Sequence, residues 1–251
     1  QLKTLLYPRI MLVETALKNY TLEAVLADSK SESFETIWSR SLTGYRGYAS
    51  SSRDYSKAWG NRQRLRQEID GIIYRNHNSR DVIRTSRCRY GYSHLAIFEV
   101  MTLGNFGAFY DCLDMRVKSS IVHDVGMPTN LDSAALLKHI IYALKDLRNA
   151  IAHNGVVLDV RFKTGHINTG LTALIKQEMG IGKVDFSDIT DYVLLLVYLM
   201  RKMRFTKTEC RQLINGYRAI LERFRNELPF DIYSKFIKHP LGASWTRHVN
   251  L

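Results

Sequence analysis

Leu136-Leu137-Lys138-His139-Ile140-Ile141-Tyr142-Ala143-Leu144-Lys145-Asp146-Leu147-Arg148-Asn149-Ala150-Ile151-Ala152-His153 is the most regular helical pattern in the chain, and its reading decides the fold. Leu136, Leu137, Ile140, Ile141, Leu144, Leu147 and Ile151 recur at steps of three and four, which sets one apolar stripe on an α-helix. Asp132-Ser133 supplies side chains that suit its start, and Asn154-Gly155 supplies a stop. Arg148 lies four residues beyond Leu144, on or beside the stripe, where a guanidinium lacks water unless a partner or an anion is near. His153 sits about 140° further round an ideal helix. The two side chains therefore do not meet on a helix that runs straight. An asparagine, Asn149 and Asn154, follows each of them.

Outward from this helix, further helical patterns fill most of the chain. Residues 3–27 repeat Leu5, Leu6, Met11, Leu12, Ala16, Leu17, Leu22, Val25 and Leu26 at helical steps, with Pro8 near the start and Glu14 and Lys18 spaced as a solvated ion pair. A serine-rich loop surrounds a short helix at 34–42, and a polar helix with a narrow stripe (Leu65, Ile69, Ile72, Ile73) covers about 55–75. Ser93 caps a short apolar helix, Gly104 to Gly107 break it, and a second short helix runs over 109–122. His94 and His123 read as packed or surface histidines rather than ligands. Beyond the central helix, 156–162 looks strand-like or extended. Helices then cover 171–179, 187 or 188 to 203, and 206–226, before an aromatic-rich, irregular tail from 228.

The expected fold is all-α, a helical bundle with extra C-terminal helices. Its core spans 1–162 with a basic, Arg- and Tyr-rich insertion at about 40–92. The extension 163–251 is expected to pack on the same domain, since no internal repeat or long flexible linker separates two halves. Four prolines and 15 glycines in 251 residues favour helices over a turn-rich β architecture.

Charge points to a partner. Lys and Arg outnumber Asp and Glu by 36 to 24, a net +12, which favours a polyanion, nucleic acid before membrane. Between residues 40 and 92 stand twelve basic and four acidic side chains, +8 of that excess. Tyr45, Tyr48, Tyr55, Tyr74, Tyr90 and Tyr92 are interleaved among them. Guanidinium forks bind phosphate and tyrosines stack on unpaired bases, so Arg53, Arg62, Arg64, Arg66, Arg84, Arg87 and Arg89 are the candidate RNA contacts. A solvated helix face with core-packing tyrosines fits the same residues. Cys88, Cys112 and Cys210 form an odd set without metal spacing, which suits a reducing cytoplasm and gives neither a disulfide framework nor a zinc site. The most apolar run, 192–203, is too short to span a membrane. No secretory signal is read at the start. The first residue is Gln1 rather than Met, and the expectation is that the numbering begins inside a longer protein or after a processed end.

Arg148 and His153 are the candidate catalytic pair, with no metal or other cofactor required. The sequence has no Gly-rich phosphate loop, H-E-x-x-H or G-x-S-x-G. In RNA the 2′-OH is a built-in nucleophile beside the scissile phosphate. A neutral histidine takes its proton and an arginine stabilises the charge that builds on the phosphoryl oxygens. One motif supplies one histidine, whereas the reaction gains from both a base and an acid. Two chains with facing motifs supply both, so a homodimer is expected. The same two residues also suit a structural role, Arg148 on a carboxylate and His153 at the helix C-terminus.

The stretch Leu144 to Asn154, with its R-N-x-x-x-H pattern, resembles the bacterial abortive-infection proteins of the AbiD/AbiF type, members of the HEPN ribonuclease superfamily. The opening helix Arg9 to Lys18 and the segment Leu95 to Phe106, followed by Phe109-Tyr110, are similar to the same family. The likeness covers roughly residues 1–162. It implies an all-helical HEPN fold and an endoribonuclease with Arg148 and His153 as catalytic residues and Asn149 and Asn154 beside them. It also implies antiviral, toxin-like activity and, for some members, a complex with a structured non-coding RNA. A non-catalytic RNA-binding protein is the alternative.

Overall fold

The computed structural model describes residues 1–78, 93–129, 132–165 and 167–238. Among the described residues eleven α-helices and one short 3-10 helix carry the chain, with no strand and one isolated bridge between Ser33 and Ser93. The all-α expectation holds. The chain forms two compact units, residues 17–138 and residues 1–16 with 139–251. One boundary falls inside α1 (Leu2–Ser29) and the other inside α7 (Ser133–Ala152).

Unit 17–138 holds α2 (Phe34–Arg40), the 3-10 turn Gly44–Gly47, α3 (Arg53–Arg75), α4 (His94–Val100), α5 (Leu103–Cys112) and α6 (Met115–Val125). The Ser52 side chain accepts from Tyr55 N and starts α3, whose stripe Leu65, Ile69, Ile72 and Ile73 is buried as the spacing predicts. The helix packs on α4, α5 and the 3-10 turn. Gly44 permits that turn, because a Cβ there would collide with the Leu113 carbonyl. The expected break at Gly104 to Gly107 is not there: those residues lie within α5. Two glycines cost a helix roughly 1 kcal/mol each, but Phe106, Phe109 and Tyr110 bury completely from this helix and outweigh them. The breaks fall instead at Met101 and Leu113, both extended, with Thr102 capping α5 through Asn105 N.

In the unit made of 1–16 and 139–251, α8 (Thr169–Met179), α9 (Ile189–Lys202), α10 (Lys207–Glu227) and α11 (Phe230–Phe236) follow α7. Every residue of α9 from Ile189 to Met200 is buried, so it is the central rod of this unit, flanked by α8 and α10. Its start is fixed by two buried acids. Asp188 accepts from Thr190 N at 2.7 Å, and Asp191 accepts from Asp185 N and Phe186 N at 2.9 and 2.6 Å. A full capping box between Thr206 and Glu209 opens α10. The stretch 156–162 is a chain of turns rather than a strand: Val157 and Val160 bury three residues apart, and Val160 takes a left-handed φ of 47°. Part of the tail, α11, is helical rather than irregular.

Helix α1 turns a different face inward from the one first read. In its first part Leu6, Ile10 and Val13 are fully buried while Leu12 is 51 % exposed. Glu14 falls on the buried face, at 4 % exposure, and so is not one end of a solvated pair. Pro8 lies inside the helix rather than at its first turn.

Candidate functional site

The stripe of α7 is buried from Leu136 to Ile151, as the periodicity requires. The helix ends in a Schellman turn: Gly155 N donates to Ala150 O at 2.7 Å, Asn154 N to Ile151 O at 3.1 Å, and Asn154 sits at φ 55°. His153 is the capping residue. Its own N–H still donates to Asn149 O at 2.9 Å, so helical geometry persists from Arg148 to His153. The two side chains stay on different faces, His153 exposed and Arg148 half-buried.

Arg148 is held by its own chain without being closed off. Its Nη1 donates to Asn149 Oδ1 at 3.3 Å, and its Nε lies 3.9 Å from Glu14 Oε2, an ion-pair separation too long for a hydrogen bond. That Nε is buried and has no hydrogen-bond acceptor among the described residues. Asn149 thus orients the arginine. Asn154 makes the stop and accepts from Lys3 Nζ at 2.6 Å, which adds a cation beside His153.

A cavity of about 450 Å³ lies next to this stop, lined by Leu2, Asn154, Val157, Ile220 and Phe224 among others. Val156 on its edge is 56 % exposed. Glu14 and Lys3 were not singled out as site residues from sequence. A charged residue at a buried position of the α1 repeat, one step from Val13, was the available signal for Glu14.

In unit 17–138 the candidate RNA contacts separate. Arg53 and Arg64 are exposed on α3 and form no ion pair among the described residues. Arg62 is buried: its Nε donates to Leu42 O at 2.8 Å and its Nη2 to Trp38 O at 2.7 Å, with the guanidinium 4.0 Å from the Trp38 ring. Burial pulls its pKa down. Arg66 grips Glu35 with two hydrogen bonds at 3.0 and 2.5 Å, and those bonds hold the Glu35 carboxyl below its ordinary range. Arg84, Arg87 and Arg89 lie outside the described residues.

Other reactive groups are quiet. Burial raises the Cys112 thiol to about 12, which removes it as a nucleophile at neutral pH. His94 is fully buried, with Nδ1 2.7 Å from Glu32 O, and burial lowers its pKa. Among the described residues no helix is long and apolar enough to cross a membrane, and no three His, Cys, Asp or Glu side chains group as metal ligands would.

Neither curated proteins nor solved structures show a significant match to the chain. The family described as Abi-like protein matches residues 1–159. Helices α8 to α11 lie beyond that match. Inside it fall the whole of α1 and α7, the buried Glu14, the Arg148–His153 pair and the Schellman stop between them and Val156. With most of its length and the helix bearing its candidate site covered in this way, the chain belongs to the Abi-like protein family.

Proposed function

We propose that the chain is a metal-independent endoribonuclease of abortive infection, with a catalytic site completed by a second copy. Membership of the Abi-like family supports the phage-defence setting. The observation that carries the chemistry is the end of α7, where an exposed histidine caps the helix five residues after a half-buried arginine. In this reading the 2′-oxygen of RNA attacks the adjacent phosphorus while His153 takes the 2′ proton. The bond from phosphorus to the 5′-oxygen breaks, and a water molecule gives that oxygen a proton. The products are a 2′,3′-cyclic phosphate and a 5′-OH. Arg148 stabilises the phosphoryl oxygens as their charge builds. Two copies are required because the angular offset along α7 keeps one chain's Arg148 and His153 apart. The apolar side chains next to His153, Val156 foremost, give a second copy something to bury.

The test is cleavage of single-stranded RNA in EDTA. Arg148→Ala and His153→Ala are each expected to lower the rate by about 10²–10⁴. An equal mixture of the two variants should recover about a quarter of the wild-type rate, since half the dimers are mixed and each mixed dimer keeps one intact site. Equal cleavage by all three proteins removes the catalytic assignment, and a mixture that stays dead removes the shared site. A non-catalytic protein that grips a structured RNA is the second reading, and the exposed Arg53 and Arg64 on α3 favour it. RNA bound with intact ends by the wild type would decide for it.

A further inference from the structure

In unit 17–138 a cavity of about 350 Å³ opens between α3, the 3-10 turn and the α5–α6 junction. Asp54, Lys57, Ala58, Asn61 and Arg62 line it at helical steps of three and four, so one face of α3 forms a wall. Tyr45 and Tyr48 from the 3-10 segment and Lys118 from α6 contribute the rest of what matters.

The charges in this lining are unevenly matched. Asp111 is taken by Lys138 at 2.7 Å, and Asp114 by Arg116 at 3.1 Å and by the α6 backbone. Three cations have no carboxylate partner among the described residues. Arg62 is satisfied only by carbonyls and aromatic faces. Lys118 donates to a backbone carbonyl, Asp111 O, at 2.8 Å. Lys57 is exposed on the rim. Burial pulls the pKa of both Arg62 and Lys118 down, while Asp111 and Asp114 near Lys118 work in the opposite direction. Lys118, withdrawn from water with a carbonyl as its hydrogen-bond acceptor, keeps ammonium donors for an anion. The space far exceeds one phosphate and falls at the lower end of ligand-sized cavities, roughly 300–1,000 Å³. Tyr48, 49 % exposed, offers a face for a planar ring, while the Tyr45 ring is already packed by Arg46, Arg62, Tyr55 and Trp59; Asp54 and Asn61 offer an acceptor and an amide for the polar edge.

We propose that this cavity binds a nucleoside monophosphate, its phosphate on Lys118 and Lys57 and its base against Tyr48. The nucleotide is either free or one residue of an RNA strand turned into the cavity. The site does not depend on the nuclease reading, because none of its residues belongs to the Arg148–His153 pair.

Titration calorimetry of the full chain with AMP, inorganic phosphate and a single-stranded RNA tests it. AMP should bind at least ~10-fold more tightly than inorganic phosphate, and Lys57→Glu and Lys118→Met should each weaken AMP by ~10-fold or more. Arg148→Ala and His153→Ala should bind AMP as the wild type does. AMP that displaces RNA assigns the site to a nucleotide of the strand; AMP that binds without displacing RNA assigns it to the free nucleotide. Absence of AMP binding at millimolar concentration, phosphate binding equal to AMP, or full binding by Lys57→Glu overturns the proposal. Thermal unfolding checks that the variants are folded, and the rim variant Lys57→Glu decides alone if Lys118→Met is not.

Discussion

Arg62 and Arg148 are both arginines beside the apolar stripe of a long amphipathic helix, yet the molecule treats them differently. Arg62 is finished. Two of its nitrogens donate to main-chain carbonyls at 2.7–2.8 Å, and Trp38 covers its plane. Arg148 is oriented by one side-chain amide at 3.3 Å, while its buried Nε has no acceptor among the described residues and the nearest carboxylate oxygen stands 3.9 Å away. A guanidinium saturated by its own chain stabilises the fold through geometry that only its planar fork can meet. Arg148 is instead held in place with a donor to spare. The same residue type beside a helical stripe thus divides into a saturated and an unsaturated guanidinium.

The sharpest way to break this contrast is to keep the charge and change the shape. Arg62→Lys should cost about 2–3 kcal/mol, since one ammonium cannot serve both carbonyls and the ring face. Arg148→Lys should cost less than about 1 kcal/mol. Calorimetric unfolding of the intact chain measures both. Equal losses would mean that Arg148 is as structural as Arg62.

A second contrast sets two histidines against each other. His94 is buried with Nδ1 on Glu32 O and no acceptor or donor for Nε2, whereas His153 is exposed at the helix cap. Burial lowers the folded-state pKa of His94, so the folded protein resists protonation there. The stability this confers is present above the unfolded value, about 6.5, and is lost as pH falls through the folded value. Between pH 7.5 and 5.5 the wild type should therefore lose more stability than His94→Gln, with a slope up to about 1.4 kcal/mol per pH unit. Thermal unfolding at a series of pH values reads this directly. Matching slopes in the two proteins would show that His94 is not the group responsible.

Much of the fold was legible because local chemistry and tertiary packing agree. The α7 stripe, Asp188 and Thr206 as helix starts, and Gly180 at φ 62° as a stop are all visible in the chain's spacing. The errors came where a distant partner outweighed local preference. Gly104 and Gly107 look like a break until Phe106, Phe109 and Tyr110 find a core to fill. Val156 to Phe162 looks extended until Val157 and Val160 need to bury on the same side. In the candidate site, the positions of Arg148 and His153 along α7 follow from periodicity and the Asn154 stop. That Glu14 lies near Arg148, or that Arg62 meets the Trp38 face, depends on which helices pack together, and spacing along one helix carries no such information.

The smallest expected effect in stability is the most informative about RNA, and it lies on one helix. Arg64 is exposed on α3 and bonds nothing among the described residues, while Arg66, two residues on, is clamped between Glu35 and Asp70. Arg64→Ala should leave stability within about 0.5 kcal/mol and reduce the slope of log affinity for single-stranded RNA against log salt by about 0.7. Arg66→Ala should lose up to about 1 kcal/mol, the worth of a surface ion pair, and leave the salt slope unchanged, because its charge is already matched by two carboxylates. Filter binding at several salt concentrations separates the two. If Arg66→Ala lowers the slope and Arg64→Ala does not, the phosphate exchanges with Glu35 for the guanidinium fork. The basic face would then be defined by arginines that the acids hold in reserve rather than by those left free.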